Sequence, residues 1–223
     1  MTADPVPSEP VRVPMSTALL ATRVVAILRA GDSARAEAVV DVLVDGGIRC
    51  IELTMTTPGV LDVVERLAAR VADVVDLGVG TVLTAAEVDR AVDAGACFVV
   101  SPSVVPAVIG AAARHGIASY PGALTPTEIH GAWSLGASAV KLFPAGSFGP
   151  GYLAALRAPL PHIPIVPTGG IGAGEAAAWL DAGAAALGMG GPLIGDAMTA
   201  TGDLGALAER VRAVCAAVAG AGR

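Results

Sequence analysis

Lysine is nearly absent from this sequence: of its 14 lysines and arginines, Lys141 is the single lysine. No stretch gathers basic residues, and the formal charge is −6. Nucleic acids and anionic membranes are held mainly by clustered Lys and Arg, so neither is expected as a partner. A small-molecule ligand is. Hydrophobic residues make up 54% of the chain and the mean hydropathy is +0.68, yet no uninterrupted apolar run approaches the roughly 18 residues of a spanning helix. The three cysteines, Cys50, Cys97 and Cys215, stand far apart in apolar runs. That excludes a disulfide framework and fits reduced thiols in a cytoplasmic core. His115, His130 and His162 have no ligand spacing, so no metal site is expected. The opening MTADPVPSEPVRVP, residues 1–14, has four prolines and no apolar core segment. It reads as a flexible leader rather than a signal peptide, and leaves one domain over residues 15–223.

What fills that domain is a repeat. Eight short β-branched runs, each followed by a Gly, Pro, Ser or Thr turn and an Ala-rich helical stretch, begin at Arg23, Cys50, Val74, Cys97, Ala118, Ala139, Pro164 and Ala185. The helical stretches close in glycine, and the phrase DAGA recurs at Asp93 and Asp181 as helix gives way to strand. Eight such units predict a single (β/α)8 barrel rather than an open doubly wound sheet of five or six strands. A last helix is expected from Asp203, and a short helix around Ser16 to Ala21 is placed to close the barrel bottom. Trp133 and Trp179 fall in helical stretches and read as packing residues.

Barrel chemistry sits at the C-terminal ends of the strands. Alternation turns Lys141 and Phe143 towards the barrel axis if Val140 and Leu142 face the helices. Burial disfavours an ammonium, and a free amine beside a carbonyl forms a Schiff base. Arginine, which this chain prefers, would serve any plain ion pair, so Lys141 is the candidate nucleophile. By the same parity Glu52 in CIELTM points inward, either as a proton carrier raised by burial or as the ion-pair partner of Arg29 or Lys141. Arg29 ends the first run and Thr81 the third, a candidate clamp for a carboxylate or phosphate. Pro102 follows the fourth run. The seventh and eighth end in Thr168, Gly169, Gly170 and in Gly190, Gly191, where backbone N–H groups can cradle a phosphate or simply make tight turns.

The segments VAILRA, GGIRCIELTMTTPG, GVGTVLT, FVVSPS, YPGALTPTEI, AVKLFPA, PTGGI and GMGGPL, in that order and spacing, resemble the class I 2-keto-3-deoxy-6-phosphogluconate (KDPG) and 4-hydroxy-2-oxoglutarate (KHG) aldolases. The resemblance covers about Val24 to Gly195. It implies a Schiff base on Lys141, proton transfer by Glu52, and cleavage to pyruvate and glyceraldehyde 3-phosphate, or to pyruvate and glyoxylate. It also implies carboxylate binding by Arg29 and Thr81, a pocket lined by Pro102 and Phe143, and a hydroxyl and phosphate end at Thr168, Gly169, Gly170, Gly190 and Gly191. No metal or other cofactor is implied, and a homotrimer is. Three positions depart from the familiar pattern. Thr56 stands in place of an arginine, Pro192 in place of a serine that donates to phosphate, and Ser103 in place of a glycine. These leave room for the galactonate epimer (KDPGal) or an unphosphorylated substrate. The competing readings are a phosphate-binding isomerase or thiamine-phosphate-synthase barrel, a sugar-acid binding protein without turnover, and a metal-dependent pyruvate aldolase.

Overall fold

Inward and outward side chains alternate along eight parallel strands: β1 (Val24–Leu28), β2 (Cys50–Thr54), β3 (Asp76–Gly80), β4 (Phe98–Ser101), β5 (Ala118–Ala123), β6 (Val140–Leu142), β7 (Ile165–Pro167) and β8 (Leu187–Met189). They pair in the order β7-β6-β5-β4-β3-β2-β1-β8, and a parallel bridge between Thr168 and Gly188 joins the two ends into a barrel. The architecture comes from a computed structural model that describes residues 10–71 and 73–221. The expected (β/α)8 fold is formed, and the six-stranded alternative is not. The last three strands are shorter than their apolar runs, because prolines and glycines divert the chain into turns at their C-terminal ends.

The helices are α1 (Thr17–Thr22), α2 (Ala36–Asp45), α3 (Val60–Val71), α4 (Ala85–Asp93), α5 (Pro106–Arg114), α6 (Pro126–Ser134), α7 (Pro150–Arg157), α8 (Ala173–Asp181), α9 (Gly191–Ile194) and α10 (Leu204–Gly220). Their starts are written locally. Thr84 and Thr125 close capping boxes with Glu87 and Glu128 at α4 and α6, and Asp203 caps α10 by accepting from the Ala206 N–H at 3.0 Å. Both DAGA phrases end their helices through a glycine at positive φ, Gly95 at 94° and Gly183 at 97°. On α3, Val60, Val63, Val64 and Leu67 share one face and are buried. Each such side chain contributes about 1.5–3 kcal/mol through burial.

Two apolar regions result. The larger lies between barrel and helices and takes the outward residues, such as Ile51, Leu53, Val140 and Leu142. The smaller fills the lower barrel with Val25, Cys50, Phe98, Val100, Tyr120 and Val166, closed from below by Met15 and Leu19. The predicted bottom helix thus serves as a plug, with the side chain of its cap Ser16 bonded to Asp76. Phe98 and Tyr120 pack at 5.5 Å between ring centroids.

Residues 1–9 of the expected flexible leader lie outside the described residues. At the far end of that segment, the Arg12 guanidinium lies 3.3 Å from the centroid of the Trp133 ring and donates to the carbonyls of Trp133, at 2.9 Å, and Ala137. Trp179 is core, as expected. All three cysteines are free, but Cys97 is exposed instead of in the core, since it precedes β4 on the rim where the chain enters the barrel. Among the described residues, no helix is long and apolar enough to cross a membrane.

Candidate active site

β6 is only three residues long, and its neighbours fix how Lys141 is presented. Val140 and Leu142 are fully buried against the helices, while Lys141, paired in register with Gly122 and Val166, projects half-exposed into a cleft. Gly122 has no β-carbon to spare room for, because the Pro102 carbonyl oxygen would lie 2.2 Å from one. Among the described residues Lys141 makes no hydrogen bond or ion pair, and its Nζ lies 5.2 Å from the Phe143 ring centroid.

The cleft at the C-terminal end of the barrel has a volume of about 360 Å³. Its lining is Ile27, Arg29, Thr81, Pro102, Lys141, Phe143, Thr168, Gly169, Gly170, Gly190 and Gly191. Every residue singled out for substrate binding is therefore gathered around Lys141, from six different strand ends. Below it a narrower cavity is shared by Lys141, Thr168, Ile27, Glu52 and Tyr120.

Glu52 is 2% exposed, and its Oε1 is buried without a hydrogen-bond partner. Burial pushes its carboxyl above the usual range, and the positive charges of Lys141 and then Arg29 partly oppose this. Neither charge forms a direct ion pair with it, so the static-pair reading of Glu52 is not realised. A buried carboxyl with a raised pKa and no fixed partner is suited to taking up and giving back protons.

Arg29 Nη2 donates to Thr81 Oγ1 at 3.0 Å. Thr81 has φ 60°, a left-handed conformation unusual for a β-branched residue and found chiefly where surroundings impose it. On the opposite wall, Gly169 and Gly170 have φ of 100° and 80°, and Ala145 and Gly146 donate to the carbonyls of Thr168 and Gly169 at 2.8 and 2.9 Å. A β-carbon on Gly169 would press on the Phe143 ring at 3.2 Å. The short α9 carries Gly191 at its start and is held from behind by Arg210, which donates to the carbonyls of Leu193 and Ile194 at 2.7 and 2.8 Å. Thr56, where an arginine was the familiar residue, bonds Thr54 Oγ1 at 3.1 Å.

Sequence reasoning missed four contributors: Ile27, Tyr120, Gly80 and Arg210. Parity alone marks the first three as inward-facing, since they alternate with Leu28, Pro121 and Val79. Arg210 gave no signal, because its partners lie on a helix that the apolar pattern does not announce. Among the described residues no group of three or more His, Cys, Asp and Glu side chains is placed to hold a metal ion.

Residues 15–209 match the family model for KDPG and KHG aldolases. A curated relative, the "probable 2-dehydro-3-deoxy-6-phosphogalactonate aldolase" of Rhizobium meliloti, is 38% identical over 79% of this chain and 84% of its own. A solved structure termed native KDPGal superposes with a TM-score of 0.82 at 32% identity, covering 87% of this chain and 93% of that one. The KDPG aldolase of Legionella pneumophila, solved with pyruvate captured as a covalent carbinolamine, matches with a TM-score of 0.79 at 26% identity, over 88% and 96% of the two chains. With the expected motifs gathered at one end of the expected barrel, the chain belongs to the KDPG and KHG aldolase family and is a carbon–carbon lyase.

Proposed function

We propose that this protein is a class I aldolase cleaving a 2-keto-3-deoxy-6-phospho sugar acid to pyruvate and glyceraldehyde 3-phosphate through a Schiff base on Lys141. One observation carries the reading: an uncommitted amine and a buried carboxyl whose Oε1 has no hydrogen-bond partner line the same cavity at the floor of the cleft. Lys141 Nζ adds to the C2 carbonyl, and loss of water leaves an iminium, with Glu52 relaying the protons. Glu52 then accepts the C4 hydroxyl proton as the C3–C4 bond breaks, and the bonding pair flows into the iminium to give an enamine. The aldehyde departs, Glu52 returns its proton to C3, and water frees pyruvate from Lys141.

Arg29 and Thr81 take the carboxylate in this reading, Pro102 and Phe143 pack against the chain of the substrate, and Thr168, Gly169, Gly170, Gly190 and Gly191 receive its hydroxyl and phosphate end. The galactonate epimer is placed first, on the strength of the relative from Rhizobium meliloti and the native KDPGal structure. The gluconate epimer, first choice from the sequence, is second, with 4-hydroxy-2-oxoglutarate as a shorter substrate. The reaction calls for no metal or cofactor. One catalytic domain over residues 15–223, a homotrimer and a cytoplasmic setting complete the reading.

The test is peptide mass spectrometry after incubation with pyruvate and borohydride, with Lys141→Arg as control. A reduced pyruvate adduct on the Lys141 peptide, absent from a folded and inactive Lys141→Arg, is the expected result. No adduct in folded wild-type protein overturns the mechanism in favour of an isomerase or a binding protein. Initial rates with the two epimers then rank the substrates.

A further inference from the structure

Two inward-facing positions on β3, Gly78 and Gly80, carry no side chain, and neither has a φ that demands glycine. The reason lies in what fills the space. A β-carbon on Gly78 would lie 2.3 Å from the Phe98 ring. One on Gly80 would lie 1.7 Å from Glu52 Oε1, 2.4 Å from its Cδ and 2.7 Å from its Cγ. In register Glu52 pairs with Gly78 and Thr54 with Gly80, so the Glu52 side chain leans one inward step along β3, towards the C-terminal end of the barrel and the cleft. No hydrogen bond or ion pair fixes its carboxyl there. Packing must do so, and the defining surface is the bare α-carbon of Gly80.

We propose that Gly80 is the positioning residue for Glu52: by omitting a β-carbon it forms the slot that holds the carboxyl at the floor of the cleft. The inference rests on the proton-transfer role given to Glu52 above. It assigns to one glycine the task that hydrogen bonds perform for other buried carboxyls, and leaves both carboxyl oxygens free to exchange protons. Alanine at this position would fill the slot with a methyl group and push the carboxyl out of it. Aspartate at position 52, one methylene shorter, would draw back and make the slot unnecessary.

The experiment compares Gly80→Ala, Glu52→Asp and their combination, with Glu52→Gln and Gly78→Ala as controls. It reads two steps apart: borohydride trapping of pyruvate on Lys141, and deuterium uptake from solvent into the pyruvate methyl group, which also needs the proton carrier. After incubation to equilibrium Gly80→Ala is expected to trap pyruvate to within about threefold of wild type, because a proton relay sets how fast the iminium forms and not how much of it, while the rate of methyl exchange falls at least ~100-fold, within the range of losing a placed proton carrier. In the Glu52→Asp background the same Gly80→Ala change is expected to cost less than about threefold, a non-additivity diagnostic of direct contact. Gly78→Ala should lower the melting temperature equally in both backgrounds, as a clash with a packing ring would.

Equal losses from Gly80→Ala in both backgrounds, or wild-type exchange in Gly80→Ala while Glu52→Gln is impaired, would overturn the positioning role and leave the aldolase reading intact. Wild-type exchange in Glu52→Gln would remove the role of Glu52, and this proposal with it. Should Gly80→Ala alone fail to fold, Glu52→Asp and the double variant decide. Matching melts and exchange rates support the slot, and a double variant that also fails to fold overturns it.

Discussion

Arg29 and Thr81 meet across the mouth of the barrel, the guanidinium of one donating to the hydroxyl of the other at 3.0 Å. The contact spans β2, whose end is itself cross-tied: Thr54 bonds Thr56 and Thr57 at 3.1 and 3.3 Å, and Thr57 Oγ1 accepts from the Ala30 N–H at 3.2 Å. Three strand ends thereby fix the direction of one cation. Thr81 holds its side of the contact from a left-handed backbone that costs of order 1–3 kcal/mol, a cost the surrounding barrel sustains.

Thr81→Val keeps shape and backbone strain and removes only the hydroxyl. The contact is exposed, so its loss is expected to raise KM about five- to tenfold, with kcat within about twofold and the melting temperature unchanged. Steady-state kinetics and a thermal melt check both halves. A fall in kcat with KM constant would place Thr81 at the reacting carbons instead of at the carboxylate.

Glu52 makes stability depend on pH in a direction opposite to that of a salt-bridged carboxylate. Its carboxyl is raised from the ordinary 4.5 by burial, so between that value and its higher folded value the native state binds more protons than the unfolded chain. Stability contributed by the protonated form is complete below 4.5 and lost as pH rises through the folded pKa. Glu52→Gln, neutral throughout, should therefore melt above wild type at pH 8 and converge with it near pH 4.5. Melts across that interval test this, and a difference that widens on acidification would contradict it.

Arg12→Ala removes a stacking contact on Trp133 and two backbone hydrogen bonds at the foot of the barrel, far from the cleft. The expected loss is about 1–2 kcal/mol. That corresponds to roughly 2–8 °C in Tm. kcat/KM should be unchanged at temperatures below the melt.

The sequence made the positive elements of the site legible and hid the negative ones. Lys141 and Glu52 stood out because a charge inside an apolar run has few explanations, and strand parity then aimed both at the axis. The fold followed from eight runs at nearly constant spacing, for which a closed barrel is the economical solution. Gly80 was visible only as part of GVGTV, where glycine reads as backbone freedom, yet its backbone needs none and its use is steric. Tyr120 was hidden for a related reason: an aromatic in a strand reads as core, and it is core below while lining, above, the cavity that Lys141 and Glu52 share. Thr54 and Thr57 looked like ordinary strand-end polar residues, because hydrogen bonds among hydroxyls leave no periodic trace. Cys97 went the other way, its apolar neighbours suggesting a burial that its place on the rim denies it.

The solitary lysine has a consequence for the durability of the protein. An aldehyde-lyase bathes its own surface in an electrophile that condenses with unprotonated amines. Lysine ammonium groups deprotonate often enough to be glycated, whereas guanidinium groups remain cationic at any physiological pH. A shell supplied with arginine alone gives the released aldehyde no side-chain amine to scar, and the single lysine of the chain is withdrawn from that shell into the cleft.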